Sequence, residues 1–313
     1  MALKPFLTYT QQIYNLQNYK GLIIDDPIYA ENVLSHISYY SLIGGYKPLF
    51  YDFVACRYNK GTNFEDLVSL YYFDEELRNL FFQYICHVEQ HIRTLYAYYF
   101  SEVFSNSSKD YLNIACYNNI AVNQKQLQKL LKILSNEVLQ NNSHSYVVYQ
   151  RKKYNDVPLW TIMQTLTLGQ VSKMYLLGRP GIKTKICRQF QSVNEKELAQ
   201  HLKVLTHCRN ICAHNERLYC CKLNASIPDT LLHKKLSIPM QGKQYVYGKS
   251  DLFAVLISLR YLLTKEEFKE LKKRLNLLIN KVIRNSPNIT EEKLLNSMGF
   301  PDNWKKITLY RKL

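Results

Sequence analysis

Three side chains with complementary chemistry lie within six residues of one another, at Arg209, Asn210 and His214. Arginine carries a permanent positive charge, histidine exchanges protons near neutral pH, and asparagine offers both a donor and an acceptor. Such a group can hold a phosphate, move a proton and orient an attacking hydroxyl. These steps suffice to cleave RNA without a metal ion, so we take the three as candidate catalytic residues.

A helix is expected to position this group. Residues 192–195 have the pattern of a capping box, which predicts that a helix starts there. Arg209 falls in the phase of an apolar row made of Leu198, Leu202, Leu205 and Cys212. A buried guanidinium is costly unless it faces a cleft, a partner or an anion. His207, Asn210 and His214 form a second row, so we expect this helix to border a groove.

The balance of charge indicates the kind of partner. The chain has 313 residues, with 41 Lys and Arg against 25 Asp and Glu, a net charge of +16 that is spread along the sequence. Positive potential over a folded body favours a polyanion, either nucleic acid or a membrane surface. No apolar run is long enough to cross a bilayer, and no signal-peptide pattern follows residues 1–4. We expect a cytoplasmic protein that binds RNA and no membrane.

The eight cysteines form no paired CxxC ladder, which favours reduced thiols. A metal site near the motif is the alternative, although its spacing fits no common zinc pattern. Its candidate ligands are His207, Cys208, Cys212, His214, Cys220 and Cys221. We expect neither a metal nor another cofactor.

Glycine is scarce, and the longer segments repeat apolar residues at helical spacing, which predicts an all-α fold. Helices are expected over residues 7–19 and 27–42, the second ending at Gly44 and Gly45. A capping-box pattern at residues 62–65 opens an element that continues into a long helix. Its apolar row from about residue 75 to 104 predicts a central core helix and is made of Phe81, Ile85, Val88, Ile92, Leu95 and Tyr99. Most of the 26 Tyr and 13 Phe are expected to pack in the core or at interfaces, base stacking being the alternative.

On the long helix, Glu89 and Arg93 lie four residues apart beside the apolar row. They form either a solvated ion pair or a supporting pair behind the catalytic cleft. His207 is a third candidate for such a supporting position.

Later segments contain further helices. Pro158 is expected to open a helix that continues to Gly169, and residues 224–250, with several prolines and glycines, predict an irregular loop. Thr264 should cap a basic amphipathic helix, and Lys305, Lys306, Arg311 and Lys312 add charge to the tail. Candidate RNA contacts on this helix are Lys265, Lys269, Lys272, Lys273 and Arg274, with a solvated or membrane-facing surface as the alternative.

Four blocks of the chain resemble, in order, the Abi-like family of bacterial abortive-infection proteins of the AbiD/AbiF type. Members of that family look like HEPN-superfamily ribonucleases. The blocks comprise Ser-Tyr-Tyr-Ser-Leu-Ile-Gly-Gly-Tyr at 38–46, residues 70–78 with 89–93, residues 158–172, and Arg-Asn-Ile-Cys-Ala-His-Asn-Glu-Arg at 209–217.

The resemblance implies an all-α, HEPN-type helical bundle with additional helices. With it we expect one domain over residues 1–313, a basic helical extension over about 264–313, and a homodimer whose motif helices face each other across a cleft. Arg209 and His214 match the family's Arg-x4-6-His motif, and Asn210 matches the polar residue after the arginine. Glu89 and Arg93 match a family Glu/Arg pair.

These expectations describe an antiviral, toxin-like endoribonuclease that needs no metal. His214 would take the proton of a 2′-hydroxyl or protonate the leaving 5′-oxygen, Arg209 would hold the phosphate, and Asn210 would orient the imidazole or the ribose. Two other functions remain open, a non-catalytic binder of a structured noncoding RNA and a phage-sensing protein-interaction module. In a purely structural interpretation, Arg209 pairs with Glu89 in the core and His214 is an interior histidine.

Overall fold

A computed structural model describes residues 5–310 and confirms the predicted all-α class. Arg311 and Lys312, two of the predicted tail cations, lie outside the described residues. The α-helices are α1 (Tyr9–Asn18), α2 (Pro27–Ile37), α3 (Phe64–Val103), α4 (Ser108–Tyr111), α5 (Gln124–Leu139), α6 (Ser145–Tyr154), α7 (Leu159–Ile162), α8 (Leu168–Leu177), α9 (Pro180–Cys187), α10 (Glu195–Ala213), α11 (Leu231–Lys235), α12 (Leu252–Leu262), α13 (Lys265–Asn285) and α14 (Glu291–Met298).

Short elements connect these helices. A π-helix covers Tyr40–Gly44, and 3₁₀ turns cover Lys47–Leu49, Ile114–Cys116, Ala121–Asn123 and Trp304–Thr308. Two antiparallel hairpins pair β1 (Tyr51–Asp52) with β2 (Arg57–Tyr58), and β3 (Met240–Gln241) with β4 (Gln244–Tyr245). Within the described part of the chain, no helix is both long enough and apolar enough to cross a membrane.

The 40-residue helix α3 is the centre of the fold, and α9, α10 and α13 pack along it. Asn63 and Asp66 cap its start, each side chain accepting the other residue's backbone N–H at 2.9 Å. The predicted apolar row is buried as far as Ile92 and then shifts by one residue to Tyr96 and Phe100. The shift occurs because a 3.6-residue helical turn drifts against a seven-residue repeat.

The motif helix α10 packs against α3, α8, α9 and α12. Asn194 and Glu197 form its capping box, with bonds of 2.9 and 3.0 Å, two residues beyond the predicted pair. Gly169 allows α8 to approach closely, because a Cβ there would lie 3.3 Å from Thr206 Cγ2. The helix is therefore held on several sides, and its C-terminal end projects towards solvent.

Two predicted helices are shorter than expected. The helix predicted over 27–42 ends at Ile37, because Ser38 adopts a φ of 67° and the chain continues into the π-helix. Gly44 and Gly45 therefore do not stop it. The helix predicted from Pro158 to Gly169 is divided into α7 and α8, because the side chain of Thr167 caps a new helix.

His201 is buried between α10 and α12, with 1% of its surface exposed. Its Nδ1 lies 2.9 Å from Ser258 Oγ, and Ser258 donates its own hydrogen to Ala254 O at 2.8 Å. Nδ1 must therefore carry the hydrogen of the neutral ring. Burial lowers the pKa of His201 to about 3, because protonation would place a charge inside the protein.

We predict that His201→Gln makes stability less sensitive to acid. An unfolded histidine takes up a proton near pH 6.5, roughly its reference pKa, whereas folded His201 stays neutral down to a pKa of about 3. The contribution of His201 to the free energy of unfolding is therefore complete above pH 6.5. It is lost as pH falls towards 3, by up to about 1.4 kcal/mol per pH unit. Urea unfolding between about pH 4 and pH 7 measures the slope.

His36→Gln provides the matched control, because His36 is exposed on α2. This variant keeps the buried imidazole of His201, so the acid dependence that His201 causes should remain. Equal slopes in all three proteins would show that His201 is not held neutral by burial.

Candidate active site

The predicted catalytic residues lie at the C-terminal end of α10. The helix ends in a Schellman motif, in which the N–H of Glu216 donates to Ile211 O at 3.0 Å and Asn215 adopts a φ of 54°. His214 is the first residue beyond the helix, and its side chain is exposed. Asn210, one turn earlier, is also exposed. The interpretation of His214 as an interior histidine is therefore wrong.

Arg209 is directed from α10 towards α3. Its Cζ lies 5.7 Å from the centre of the Phe82 ring, a cation–π contact. Its Nε is buried without a hydrogen-bond acceptor among the described residues. Arg209 lines a groove of about 720 Å³ between α10, α3 and the start of α13, which we call the arginine groove. The guanidinium is thus placed where an anion entering this groove can meet it.

Glu89 and Arg93 lie in the same groove as Arg209. Arg93 donates hydrogen bonds to Glu89 Oε1 and to the carbonyl of Leu166. Glu89 is 5% exposed and Arg93 is half-buried, so the pair is largely shielded and is not a fully solvated surface ion pair. Burial raises the pKa of Glu89, and the nearby charges of Arg93 and Arg209 oppose that rise. Glu89 therefore pairs with Arg93 while remaining close enough to Arg209 for their charges to interact.

The structure does not gather all the predicted residues into one cavity. His207 lies on another side of α10, where it lines a separate cavity of about 630 Å³ beside α8 and α9. Arg209 and His214 are five residues apart, which places them about 140° from each other around a helix axis. His214 accordingly is not among the residues that line the arginine groove.

The alternative metal site is not formed. Cys208 and Cys212 are buried on the inner side of α10, whereas His214 is exposed beyond its end. Across residues 5–310, no group of three or more His, Cys, Asp or Glu side chains is arranged to hold a metal ion.

The basic face of α13 is partly used inside the protein. Lys272 Nζ donates to Thr308 Oγ1 at 2.7 Å, and Arg274 Nη1 donates to Gln83 Oε1 at 2.8 Å. Three of the five candidate RNA contacts on this helix remain exposed, namely Lys265, Lys269 and Lys273.

A buried carboxylate, Asp74, joins the segment after α10 to the centre of α3. It accepts hydrogen bonds from the backbone N–H groups of Leu218 at 3.1 Å and Tyr219 at 2.7 Å. Tyr46 Oη and Arg78 Nη1 donate to its other oxygen at 2.8 and 2.7 Å. Burial raises the pKa of Asp74, and Arg78 and the backbone donors oppose that rise. This network determines where the chain runs after His214.

Arg217 forms a second link to the same region. Its Nη1 donates to Gly45 O at 2.9 Å, and a Cβ at position 45 would lie 3.2 Å from Arg217 Cδ. Nothing in the local spacing of the sequence indicates these contacts, because Asp74 and Leu218 are 144 residues apart. Asp74, Arg78 and Arg217 thus position the site without belonging to the predicted set of site residues.

We predict that Asp74→Asn destabilises the protein strongly. The substitution leaves the guanidinium of Arg78, which is 4% exposed, without its counter-ion. Loss of one partner of a buried pair costs about 3–5 kcal/mol. The free energy of unfolding in urea measures the effect.

Glu76→Gln is the matched control on the same helix, because Glu76 forms an exposed pair with Lys281 at 2.7 Å. Its cost should stay below about 1 kcal/mol. A loss in Asp74→Asn as small as that of the control would contradict the role of Asp74.

Comparison with known proteins identifies the family. A model of the family described as Abi-like protein matches residues 32–220, a range that includes the π-helix, α3, the Asp74 network and the whole of α10. No curated protein and no solved structure matches the chain significantly. Because the family match covers more than half of the 313 residues, the chain belongs to the Abi-like family of abortive-infection-type proteins.

Proposed function

We propose that this protein is a metal-independent endoribonuclease of the HEPN type, acting as a cytoplasmic homodimer in bacterial abortive infection. One observation carries the proposal. Arg209 lines an open groove, and no acceptor among the described residues is bonded to its Nε, while His214 is exposed at the end of the same helix. A guanidinium whose Nε has no acceptor among the described residues and an accessible imidazole are two groups that phosphodiester cleavage can use.

The proposed reaction is attack of an RNA 2′-hydroxyl on the adjacent phosphorus. His214 accepts the proton of the hydroxyl, the bond from the 2′-oxygen to phosphorus forms, and the bond from phosphorus to the 5′-oxygen breaks. The protonated His214 then gives this proton to the leaving 5′-oxygen, so the products are a 2′,3′-cyclic phosphate and a 5′-hydroxyl. Arg209 holds the non-bridging oxygens as charge develops on them, and Asn210 orients the imidazole or ribose.

The divergence of Arg209 and His214 favours a site shared by two copies. Two side chains about 140° apart around one helix do not readily converge on one phosphate. A two-fold axis beside α10 would place His214 of the partner subunit opposite Arg209. The dimer then supplies the guanidinium and the imidazole of each site from separate copies.

We predict that His214→Ala reduces RNA cleavage by roughly 10²-fold or more, because it removes the group that transfers the proton. The melting temperature should hardly change, since the side chain is exposed and lies beyond the end of α10. Cleavage is measured in EDTA by sequencing RNA ends and identifying the cyclic phosphate. His36→Ala serves as the exposed-histidine control.

Cleavage by His214→Ala at the rate of the wild type would refute the proposal. Binding of RNA with steep salt dependence and unchanged RNA length in the wild type would support the non-catalytic RNA-binding alternative instead.

We also predict that two inactive variants restore each other. In a mixed dimer of Arg209→Ala and His214→Ala, a shared site keeps one intact combination, so random mixing should recover roughly a quarter of wild-type activity. The rate of cleavage after co-expression of differently tagged copies measures this recovery. If both residues act from the same chain, the mixture stays inactive.

A further inference from the structure

A second groove, of about 770 Å³, lies beside His214 and is separate from the arginine groove. It runs between the π-helix Tyr40–Gly44 and the segment that follows α10. We call it the tyrosine groove and define it by Tyr40, Tyr46, Tyr71, Asn215, Arg217 and Lys222. Asn215 is the chain neighbour of His214, so the groove lies next to the segment that carries the proposed catalytic imidazole.

Tyr40 is 87% exposed, which is unusual for so large an aromatic ring in a protein of this size. The backbone holds it there, because Ser38 has a φ of 67° and residues from Tyr40 onwards form a π-helix. π-helical turns are rare and frequently occur at functional sites. An aromatic ring presented to solvent in this way is a platform on which a base can stack.

The floor of the groove is aromatic and rigid. Tyr71 contacts Tyr46 edge to face, with ring centres 5.4 Å apart, and Tyr46 stacks on Tyr219 at 5.8 Å. The Tyr46 hydroxyl is held by Asp74 at 2.8 Å. The network that positions the end of α10 therefore also fixes the floor of this groove.

The charges that line the groove favour an anion. Arg217 and Lys222 are exposed, whereas Glu216 is the one carboxylate among the lining residues. Arg217 is held in place by its bond to Gly45 O at 2.9 Å and keeps other N–H groups available. Two cations next to an exposed ring match a nucleic-acid strand, in which phosphates alternate with bases.

We propose that the tyrosine groove binds single-stranded RNA, with one base stacked on Tyr40 and the flanking phosphates held by Arg217 and Lys222. A duplex does not fit this role, because its bases are already stacked on both faces. The assignment rests on the proposed ribonuclease function, since it places the bound strand beside His214. It also identifies the substrate as unpaired RNA.

The test compares Tyr40→Ala with Tyr40→Phe, each combined with His214→Ala so that the RNA is not cleaved. A short fluorescent RNA of unstructured sequence, and the same RNA annealed to its complement, are titrated and followed by fluorescence anisotropy. Tyr40→Ala should weaken single-strand binding about 5- to 150-fold, the usual effect of losing one stacked base. Tyr40→Phe keeps the stacking face and should bind as tightly as its parent, and duplex binding should not change.

Lys222→Gln is a second variant that does not depend on stacking. It should lower the slope of log affinity against log salt by about 0.7, since one phosphate contact to a single strand is removed. Equal single-strand affinity for Ala and Phe at position 40 would overturn the proposal. So would a shift of Tyr40→Ala, but not Tyr40→Phe, from dimer to monomer in sedimentation, because the groove would then hold a second copy of the chain.

The outcome also separates this inference from the ribonuclease proposal. Loss of binding in Tyr40→Ala together with no cleavage by the wild type would support the groove and refute the nuclease. Cleavage that depends on His214 but not on Tyr40 would support the nuclease. If Tyr40→Ala also left the affinity for single-stranded RNA unchanged, the tyrosine groove would be refuted as the RNA site.

Discussion

The buried carboxylate of Asp74 is the constraint on which the site depends. It accepts hydrogen bonds from the backbone after α10, from Tyr46 before α3 and from Arg78 on α3 itself. A charge removed from water requires all of these donors, so the three segments cannot move independently. The direction in which α10 ends, and with it the position of His214, follows from this one interaction. The tyrosine groove shares it, because Tyr46 belongs to its floor.

Helix α10 holds Arg209 and His214, the two main residues of the proposed reaction, apart from each other. Its inner side buries leucines and cysteines, Arg209 leaves this row towards α3, and His214 stands beyond the last turn. Glu89 would be the natural partner of Arg209, but Arg93 bonds it and also bonds the carbonyl of Leu166. The Nε of Arg209 therefore has no acceptor among the described residues, which is the basis of its proposed role in holding a phosphate. A second copy of the chain would complete a site that one copy leaves divided.

Much of the fold could be predicted because its signals are local. The start of α3 and of α10 follows from polar caps, and the buried side of each helix follows from apolar spacing. Two predicted helices have wrong bounds, because a single residue interrupts the apolar pattern from which each was predicted. Ser38 ends α2 through its backbone conformation before the glycines are reached, and Thr167 starts a new helix inside an apolar run. Neither event alters the apolar pattern from which the longer helices were predicted.

By itself, the sequence determined the helical class, the excess of positive charge and the adjacency of Arg209, Asn210 and His214 along one helix end. These properties depend on residue type and on spacings of a few residues. Only the tertiary structure decided that Arg209 lies in a groove against Phe82 of α3, that Glu89 is buried, and that an exposed Tyr40 borders the same helix end. Such relations join residues more than a hundred positions apart, and packing and desolvation, which no local pattern encodes, determine them.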